Sequence, residues 1–435
     1  MQKLWKLFCD RSNDVAVLAG LCLCVWSATP LHAADWSQLQ GNPHRSGNAP
    51  DTVLPDNPGL RAAIPLTDAV LASPVVSDGK IFAVDGAGVV FAIDAKTFEV
   101  VWKYATKGGP GNCNNVAAPA VVGKYVHVGT MAGYYYVLDR ETGEVVVEID
   151  CAEPIFSSPV AGNDRVYFAT LGARVYALEP AGKVVWTWDF VKEVVGFEGD
   201  RWKGEDWLAF RGDRVNWKDH FVCSRDICLL DKTVVMPAGG RTVFLEDAGD
   251  KPRLRVVGEI PNYVGSEYPA TFGQSADDDG NVYVQWHRRD NAGRVEILKL
   301  NGDTVETSVV PGTETSIDQY GLLSFSAVTV RDGAVYRVRP EQDAGLCRHR
   351  IGQERPEVLN APGGISPPVL TREHAVYAGL DGKVHLVPLN EGEPRVLETA
   401  FGAPISAPLA VADGSIYVGC EDGYLYVFGS DGQAT

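Results

Sequence analysis

The chain has 435 residues, 45% of them hydrophobic and 22% charged, with 46 glycines and 26 prolines. This composition excludes a disordered chain, and the many turn-forming residues argue against a mainly helical one. The length exceeds that of one ordinary compact domain and suits a closed repeat architecture. A net charge of −17 argues against nucleic acid and anionic membranes as direct partners.

The N-terminal segment has the pattern of a secretory signal peptide. Basic residues precede a short apolar stretch, residues 15–26, that is too short to span a bilayer comfortably. Small residues then lead to a cleavage point after Ala33 or Ala34. We therefore predict that residues 1–33 are a signal peptide and that the protein is exported. The alternative is that this segment is retained as an N-terminal anchor.

Six of the nine cysteines follow this segment, and an even number in an exported chain permits disulfide bonds. They are Cys113, Cys151, Cys223, Cys228, Cys347 and Cys420. Cys223 and Cys228 are the closest pair, but an offset of five residues along one strand places their side chains on opposite faces. Scattered buried thiols are therefore as good an interpretation as bridges.

Internal self-similarity is the strongest feature of the sequence. A turn followed by an apolar or aromatic pair recurs eight times, at intervals of 40 to 53 residues except for one of 68. Intervals of this size suit four-stranded propeller blades, and the long one indicates an insertion. The second residues of the eight pairs are Phe82, Val126, Tyr167, Val235, Tyr283, Tyr336, Tyr377 and Tyr417.

Each repeat is predicted to form four short strands, named A to D from the inside outward. In the first repeat these are residues 70–76, 80–84, 89–93 and 100–104. Asp78-Gly79, between strands A and B, is typical of a tight hairpin that needs a positive φ or a side-chain cap. The apolar residues on both faces suit strands that lie between two neighbouring blades.

The two ends of the repeat region are predicted to close a ring. The last repeat, residues 405–427, has strands A to C, and we expect residues 60–66 to supply its strand D, because closure removes exposed strand edges. The predicted fold is an all-β, eight-bladed β-propeller of four-stranded antiparallel blades, with a leader at 34–59 and the propeller at 60–435. The weaker fourth to sixth repeats leave a seven-bladed ring open.

The long interval contains a predicted inserted loop, at about residues 191–220, between strand D of blade 3 and blade 4. A long loop on a rigid ring is a common place for function, and aromatic residues with arginine favour binding. The alternative is a loop that folds onto the ring and buries its own tryptophans. Its aromatic and basic residues are Phe197, Arg201, Trp202, Trp207, Phe210, Arg211, Arg214 and Trp217.

A second group of basic residues is predicted on the B–C hairpins of blades 5 and 6, at the same rim as the insertion. Such a cluster could meet a carboxylate, a phosphate or an acidic glycan. Turn charges paired with Asp290, Glu341 and Asp343 are the alternative. The cluster comprises His287, Arg288, Arg289, Arg294, Arg339, Arg348 and Arg350.

The sequence predicts no metal site and no catalytic site. The acidic run 277–281 places its glycine fourth, whereas a calcium loop needs it sixth, so we interpret the run as an A–B hairpin turn. Histidines lack metal-ligand spacing, glycine-rich stretches lack the lysine of a phosphate loop, and Ser, His and Asp residues are dispersed.

Several stretches resemble a known family of propeller repeats. AIDAKTFEVVW (92–102) and VLDRETGEVVV (137–147) are similar to the A-x-D-x-x-T-G-x-x-x-W signature of pyrroloquinoline-quinone-type repeats. DWSQLQGNPHRSGNAP (35–50) resembles the leader of such bacterial secreted proteins, and EDGYLYVFGSDG (421–432) their closing blade. The BamB-like group is the nearest branch, and its best known member is an outer-membrane assembly scaffold. In this signature, a tryptophan on strand D lies across the neighbouring blade.

The resemblance also includes quinoprotein dehydrogenases. These are longer and carry adjacent cysteines, a Ca²⁺ bound by acidic and amide groups, and a catalytic aspartate. The sequence has no adjacent cysteines, and no such ligand trio can be assigned. We therefore predict a non-catalytic, monomeric scaffold without a cofactor, in the periplasm or at the cell surface. Its predicted partner is another envelope protein, its membrane association is indirect, and outer-membrane protein assembly is the role that the resemblance implies.

Two alternatives to the scaffold stay open. One is a receptor for a small ligand or glycan. The other is a dehydrogenase that depends on pyrroloquinoline quinone. The binding residues predicted for the scaffold are Trp202, Trp207, Arg211, Arg214, Trp217, His287, Arg288, Arg289 and Arg339.

Overall fold

The computed structural model describes residues 35–259, 270–287, 292–313, 315–316, 327–339 and 345–430. These residues form eight antiparallel sheets of four strands each, with a short fifth strand added to one of them. The predicted signal peptide lies outside the described residues and stays a prediction. Within the described part of the chain, no helix is long and apolar enough to cross a membrane.

The strands follow the blades in chain order, except that the first strand, β1 (Gly59–Pro65), belongs to blade 8. Blades 1 to 4 contain β2 Val75–Ser77, β3 Lys80–Val84, β4 Val89–Asp94, β5 Val100–Ala105; β6 Ala120–Val122, β7 Tyr125–Gly129, β8 Tyr134–Asp139, β9 Val145–Asp150; β10 Val160–Gly162, β11 Arg165–Ala169, β12 Arg174–Leu178, β13 Val184–Asp189; and β14 Cys228–Leu230, β15 Thr233–Ala238, β16 Arg241–Asp247, β17 Pro252–Glu259.

Blades 5 to 8 continue the same pattern, with β22 as the extra strand beside β20. They contain β18 Ala270–Ala276, β19 Asn281–His287, β20 Ala292–Asn301, β21 Thr304–Val309, β22 Thr315–Ser316; β23 Thr329–Arg331, β24 Ala334–Val338, β25 Leu346–Arg350, β26 Glu357–Asn360; β27 Val369–Leu370, β28 His374–Ala378, β29 Lys383–Pro388, β30 Arg395–Glu398; and β31 Ala410–Ala412, β32 Ser415–Gly419, β33 Tyr424–Gly429.

The repeat predicted from the sequence is confirmed. All eight of the recurring apolar or aromatic residues lie on strand B of a blade and are buried. Phe82, for example, pairs with Val75 on strand A and Ala92 on strand C. Both faces of these strands are covered because adjacent blades pack against each other. Strand A is shorter than predicted, since β2 begins at Val75.

The ring closes as predicted, with eight blades rather than seven. β1 is the outermost strand of blade 8 and pairs antiparallel with β33, placing Ile64 opposite Leu425. The innermost strand of blade 8, β31, contacts β2 of blade 1. One apolar cluster joins residues of blades 1, 7 and 8, including Val76, Val376 and Tyr426. Closure therefore rests on strand pairing and on a shared core.

Tryptophans on strand D join neighbouring blades, as the family signature implies. The Trp102 indole donates a hydrogen bond to the backbone oxygen of Arg140 in blade 2 at 2.9 Å. A Cβ atom on Gly143 would lie 2.7 Å from the Trp102 ring, and Gly143 has a φ of +74°, so glycine is required there. Trp186 likewise donates to Asp247 of blade 4 at 3.0 Å.

The leader runs around the inside of the ring, which the sequence did not predict. Between Trp36 and Ala49 it hydrogen-bonds in turn to the innermost strands of blades 1 to 7. It does so near the end of each strand that meets the A–B turn, so we call this side the leader rim. The bonded pairs are Trp36 with Val76, Ser37 with Val121, Gln38 with Ala161, Pro43 with Leu229, His44 with Ala276, Asn48 with Val330, and Ala49 with Leu370.

Arg45 fixes the leader at the centre of the ring. Its side chain is 1% exposed and donates hydrogen bonds to four backbone oxygens, at 2.8–3.2 Å. Burial lowers the pKa of Arg45 to about 10, against the opposing effect of nearby Asp226. The acceptors are Leu39 of the leader, Ser158 and Pro159 of blade 3, and Ile227 of blade 4.

Two further sequence interpretations are decided by the structure. All six cysteines of the described chain are free thiols, and five of them are buried. The acidic run 277–281 is the A–B turn of blade 5: Asp277 accepts hydrogen bonds from the amides of Asp279 and Asn281. It is therefore a hairpin turn, as predicted.

Candidate functional site

The insertion after blade 3 lies at the rim opposite the leader, where the B–C turns and the connections from strand D to the next blade meet. We call this side the insertion rim. The segment predicted as a loop is partly helical, with a π-helical turn at Val191–Val195 and helices α1 (Gly204–Arg211) and α2 (Trp217–His220). Two acidic residues in the first turn of α1 favour its start, and Gly212, with a φ of +76°, ends it. Helix periodicity over so few residues is a weak signal, which explains the missed helices.

Arg201 anchors the insertion to blade 3. Its guanidinium is buried and donates to the backbone oxygen of Gly172, in the B–C turn, and to Asp189, at the end of β13. It also lies 3.4 Å from buried Glu153. Burial alone would raise the pKa of Asp189, but hydrogen bonding to Arg201 lowers it below its usual value. This network fixes the base of the insertion on the ring.

Trp207 forms the interior of the insertion rather than a surface for binding. It is 1% exposed, stacks on Phe197 with ring centroids 3.8 Å apart, and packs against Phe221. Its indole donates to the backbone oxygen of Arg201 at 2.9 Å. For Trp207, the structure therefore agrees with the alternative prediction, in which the segment folds onto the ring and buries its own tryptophan.

Other apolar residues of the insertion are exposed. Leu208, Phe210 and Trp217 are 46%, 49% and 51% exposed, and Val194, in the π-helical turn, is 36% exposed. We call these four residues the insertion patch. Phe210 contacts Phe197 and Trp207 edge-on, and Trp217 contacts half-buried Trp202 in the same way. Buried aromatic rings therefore hold the exposed ones in place.

The predicted arginines of the insertion differ in position. Arg211 is exposed and lines a pocket of about 280 Å³ with Val194, Trp207, His220 and Arg241. Arg214 is a surface residue, 71% exposed in its side chain and 3.9 Å from Glu205. The first can contribute to a cationic recess, whereas the second contributes general surface charge.

The structure separates the second predicted basic cluster. His287 ends β19 and Arg339 follows β24, so both lie at the insertion rim as expected, whereas Arg288 and Arg289 lie outside the described residues. Placing Arg348 and Arg350 on the B–C hairpin was wrong, because both are on β25. Arg350 pairs with Ala334 beside the A–B turn, at the leader rim.

The charges of that cluster are partly paired inside their own blades. Arg348 donates to Glu357 at 2.7 Å, and Arg294, on β20, donates to Glu296 of the same strand. These pairs agree with the alternative of internally compensated charges, although the partners differ from those expected. Arg348 and Arg350 lie away from the B–C hairpin because strand C of blade 6 begins at Leu346, earlier than the prediction assumed.

A central cavity of about 310 Å³ lies between the leader and the insertion rim. Its floor consists of Leu39, Gln40 and Arg45. Most of its wall residues precede the innermost strands, and two, Gly273 and Gln274, lie on β18. This cavity could not be predicted from the sequence, because it exists only where the leader crosses the ring axis. Its described walls are Leu71, Val116, Phe156, Ser224, Arg225, Asp226, Gly273, Gln274, Ala327, Ile365, Pro367, Ser406 and Pro408.

This lining does not fit the divalent cation of the quinoprotein dehydrogenases. Its single carboxylate, Asp226, accepts from the Ser158 amide and is flanked by the charges of Arg45 and Arg225. Two guanidinium groups beside one carboxylate give a net positive field, which repels a dication. In the described residues, no group of three or more His, Cys, Asp or Glu side chains is arranged to hold a metal ion.

Comparison with known proteins gives matches from two branches of one fold. A family model described as outer membrane protein assembly factor BamB matches residues 60–155. Quinohemoprotein alcohol dehydrogenase ADH-IIG of Pseudomonas putida is 26% identical over 193 residues, 38% of this chain and 27% of that protein. Outer membrane protein assembly factor BamB of Legionella pneumophila (strain Paris) is 27% identical over 102 residues, 23% of this chain and 26% of that protein. The chain thus spans about a quarter of each curated relative.

The structural comparison extends over most of the molecule. The crystal structure of BamB from Moraxella catarrhalis superposes with a TM-score of 0.58 and 15% identity, covering 86% of this chain and 98% of that one. At that identity the likeness shows the fold alone. The BamB family match over residues 60–155 and the BamB sequence relative support the resemblance of the chain to BamB-like proteins with pyrroloquinoline-quinone-type repeats, and the structural neighbour shares its β-propeller fold.

Proposed function

We propose that the chain is a non-catalytic binding scaffold of the cell envelope whose protein partner docks on the insertion patch. The observation that carries this proposal is the exposure of Leu208, Phe210 and Trp217 on a base fixed by Arg201. Exposed aromatic residues held rigidly beside cationic groups are typical of binding hot spots, because little side-chain entropy is lost on docking. Export to the periplasm or cell surface rests on the predicted signal peptide.

Outer-membrane protein assembly is the process we propose for this scaffold. It is supported by the relative from Legionella pneumophila, whose name gives it that role. In this proposal the protein acts as a monomer, without a cofactor, and reaches the membrane through its partner. Trp202, Trp217, Arg211 and Arg214 would contribute to the interface, and Trp207 would support it from beneath.

Two other functions have specific observations in their favour. The recess between Arg211, His220 and Arg241 suits a small anionic ligand or glycan, and a shift of the melting temperature by such a ligand would support a receptor. Similarity to the dehydrogenase of Pseudomonas putida favours an enzyme. The positive lining of the central cavity argues against the enzyme.

The proposal is tested by proximity labelling in envelope fractions. The wild type is compared with a Phe210→Ser, Trp217→Ala variant, with circular dichroism as the check of folding. The matched control changes two equally exposed apolar residues of blade 6, Ile351→Ser and Val358→Ser, which are 47% and 51% exposed. We expect the first variant alone to lose the partners of the wild type. Identical partners for all three proteins would contradict docking on the insertion patch.

A further inference from the structure

An open groove lies at the rim opposite the insertion patch, and the scaffold function does not use it. It has a volume of about 620 Å³ and lies between blades 6 and 7, at the leader rim. One wall is a face of blade 6, and the other is the C–D turn of blade 7. Seven of its thirteen lining residues are charged, and four of these are arginines. Its volume is within the range of about 300–1,000 Å³ that is typical of ligand sites.

The strand register brings arginines of two blades to this groove. Arg348 and Arg350 are two residues apart on β25, so both side chains point to the same face of the sheet. On β24, Tyr336 lies opposite Arg348, and Ala334 lies opposite Arg350. Arg372, just after β27, lines the groove from blade 7. The site therefore forms only where the two blades pack together.

Two of the four arginines fix the walls of the groove. Arg348 donates to the Glu357 carboxylate at 2.7 and 3.1 Å and to the backbone oxygen of Leu389, in blade 7, at 3.1 Å. Arg331 donates to the side-chain oxygen of Asn48, in the leader, and to two backbone oxygens of blade 7. These hydrogen bonds join blade 6 to blade 7 and to the leader. The groove is therefore pre-formed, which lowers the free-energy cost of binding.

The other two arginines are accessible to a ligand. Arg350 and Arg372 are exposed, and within the described ranges neither guanidinium group makes a hydrogen bond or an ion pair. Arginines elsewhere on the ring surface differ, since Arg253 and Arg255 pair with carboxylates of blades 4 and 5. Carboxylates outnumber cations in this chain, whose net charge is −17. Two guanidinium groups left unpaired in one groove therefore favour a site for an external anion.

Two carboxylates narrow the class of anion. Asp332, in the A–B turn of blade 6, and Glu391, in the C–D turn of blade 7, also line the groove and are exposed. They balance the charge of the two accessible arginines, which disfavours a dense polyanion such as a phosphate chain. These carboxylates and the amide oxygen of Asn390 can instead accept hydrogen bonds from hydroxyl groups. A ligand that carries both carboxylates and hydroxyl groups therefore fits the lining.

We infer that this groove binds an acidic oligosaccharide, a short chain of uronic acid residues. Its carboxylates accept hydrogen bonds from Arg350 and Arg372, and its hydroxyl groups donate to Asp332, Glu391 and Asn390. The negative charge of the remaining blades has little effect on such a ligand, because salt at physiological strength screens charges beyond about 8 Å. The groove is separate from the insertion patch, so either proposal can fail without the other.

Isothermal titration calorimetry on the full folded chain tests the inference, with the trimers of galacturonic acid and of mannuronic acid as probes. We expect at least one trimer to bind. Its methyl ester, which has no free carboxylate, should bind at least tenfold more weakly. Equal affinities of acid and ester, or no binding of either trimer at millimolar concentration, would overturn the inference.

Two further probes distinguish other anions from the oligosaccharide. Tripolyphosphate carries negative charge without sugar hydroxyl groups, and the tripeptide glutamyl-glycyl-glutamate carries carboxylates on a peptide backbone. We expect both to bind more weakly than the better of the two trimers. Tighter binding of either probe would assign the groove to phosphate chains or to acidic peptides and would refute the oligosaccharide.

Paired arginine variants locate the bound sugar. The double variant Arg350→Gln, Arg372→Gln removes the two accessible guanidinium groups, so we expect an unchanged melting temperature and at least a tenfold loss of affinity for the trimer. The control, Arg214→Gln, Arg355→Gln, makes the same change of net charge at two exposed arginines outside the groove, and it should keep the affinity. Equal losses in both variants would show non-specific attraction, and no loss in the first would place the sugar elsewhere. Either result would refute the site.

Discussion

The leader rim and the insertion rim differ in how fully their polar groups are hydrogen-bonded and their apolar side chains are buried. At the leader rim, backbone and side-chain groups of residues 36–49 hydrogen-bond to seven blades, and the Arg45 guanidinium has four acceptors. At the insertion rim, apolar side chains such as Phe210 and Trp217 are half exposed. The difference supports the proposal that the leader rim stabilises the ring and that the insertion rim docks a partner.

Deleting residues 35–66 should have the largest effect. The deletion removes the leader and β1, and so it opens the ring at blade 8 and uncovers strand edges. We expect loss of soluble, folded protein, measured by expression yield and circular dichroism. Replacing residues 204–217 with a Gly-Ser linker is the contrasting change at the insertion rim, and it should leave a folded ring of lower stability. A stable ring without residues 35–66 would contradict a structural role of the leader.

Arg45→Met tests the leader rim at a single residue. In this variant, four buried backbone oxygens would lose their hydrogen-bond donor, and Asp226 would lose a nearby positive charge. We therefore expect a loss of about 3–5 kcal/mol in the free energy of unfolding. Chemical denaturation measures it. Arg214→Met, at an exposed arginine of the insertion, should change stability by about 0.5 kcal/mol or less. Similar losses in the two variants would remove the distinction between the rims.

Two aromatic substitutions divide the insertion into a core and a surface. Trp207→Ala should lower the free energy of unfolding by about 3 kcal/mol, because it empties a fully buried site between Phe197 and Phe221. Phe210→Ala should cost about 1 kcal/mol, because half of that side chain is already exposed. Denaturant unfolding of both variants gives the comparison. A larger loss at Phe210 than at Trp207 would reverse the assignment of packing and binding residues.

A pH titration tests the contribution of one buried histidine, His127, to the stability of the ring core. Burial lowers the pKa of His127 to about 4, against the opposing effect of its hydrogen bond to the backbone oxygen of Pro180. The unfolded chain takes up this proton at its ordinary pKa of about 6.5, so stability is complete above that pH and falls between about 6.5 and 4. The expected contribution is about 1.4 kcal/mol per pH unit in that window.

His127→Gln should remove this dependence. The free energy of unfolding is measured at several pH values between 7 and 4 for wild type and variant. We expect the variant's slope to be smaller by the equivalent of about one proton. Because buried His349 and half-buried His374 also have lowered pKa values, some dependence should persist in the variant. Parallel curves for the two proteins would show that His127 is not the titrating group.

The fold was largely predictable because each repeat carries its own local strand and turn signals. Strand B alternation around residues such as Phe82 and Tyr417, and turns such as Asp78-Gly79, act over a few residues and recur eight times. The leader's path was not predictable, because its bonds to Val121 or Leu229 join residues far apart in sequence through the backbone. The same holds for Arg348 and Arg350, whose rim depends on the residue at which strand C begins.

The candidate site was predictable in place but not in detail. A long interval between repeats with three tryptophans marked the insertion, since a regular ring makes any extra segment visible. Which of Trp202, Trp207 and Trp217 packs inside and which is exposed depends on how the short helices fold back onto the ring. The buried position of Gln40 has no sequence signal, because it arises from the bend of the leader.

Site-specific photo-cross-linking in intact envelopes tests the division between the two rims most directly. A photoreactive residue replaces Leu208, Phe210 or Trp217 on the insertion patch, or Ile351 or Val358 on blade 6. We predict that the same protein partner is cross-linked from the insertion positions and from neither blade 6 position. Cross-links of equal yield from Ile351 or Val358, or none from the insertion while those positions react, would contradict the assignment of recognition to the insertion rim.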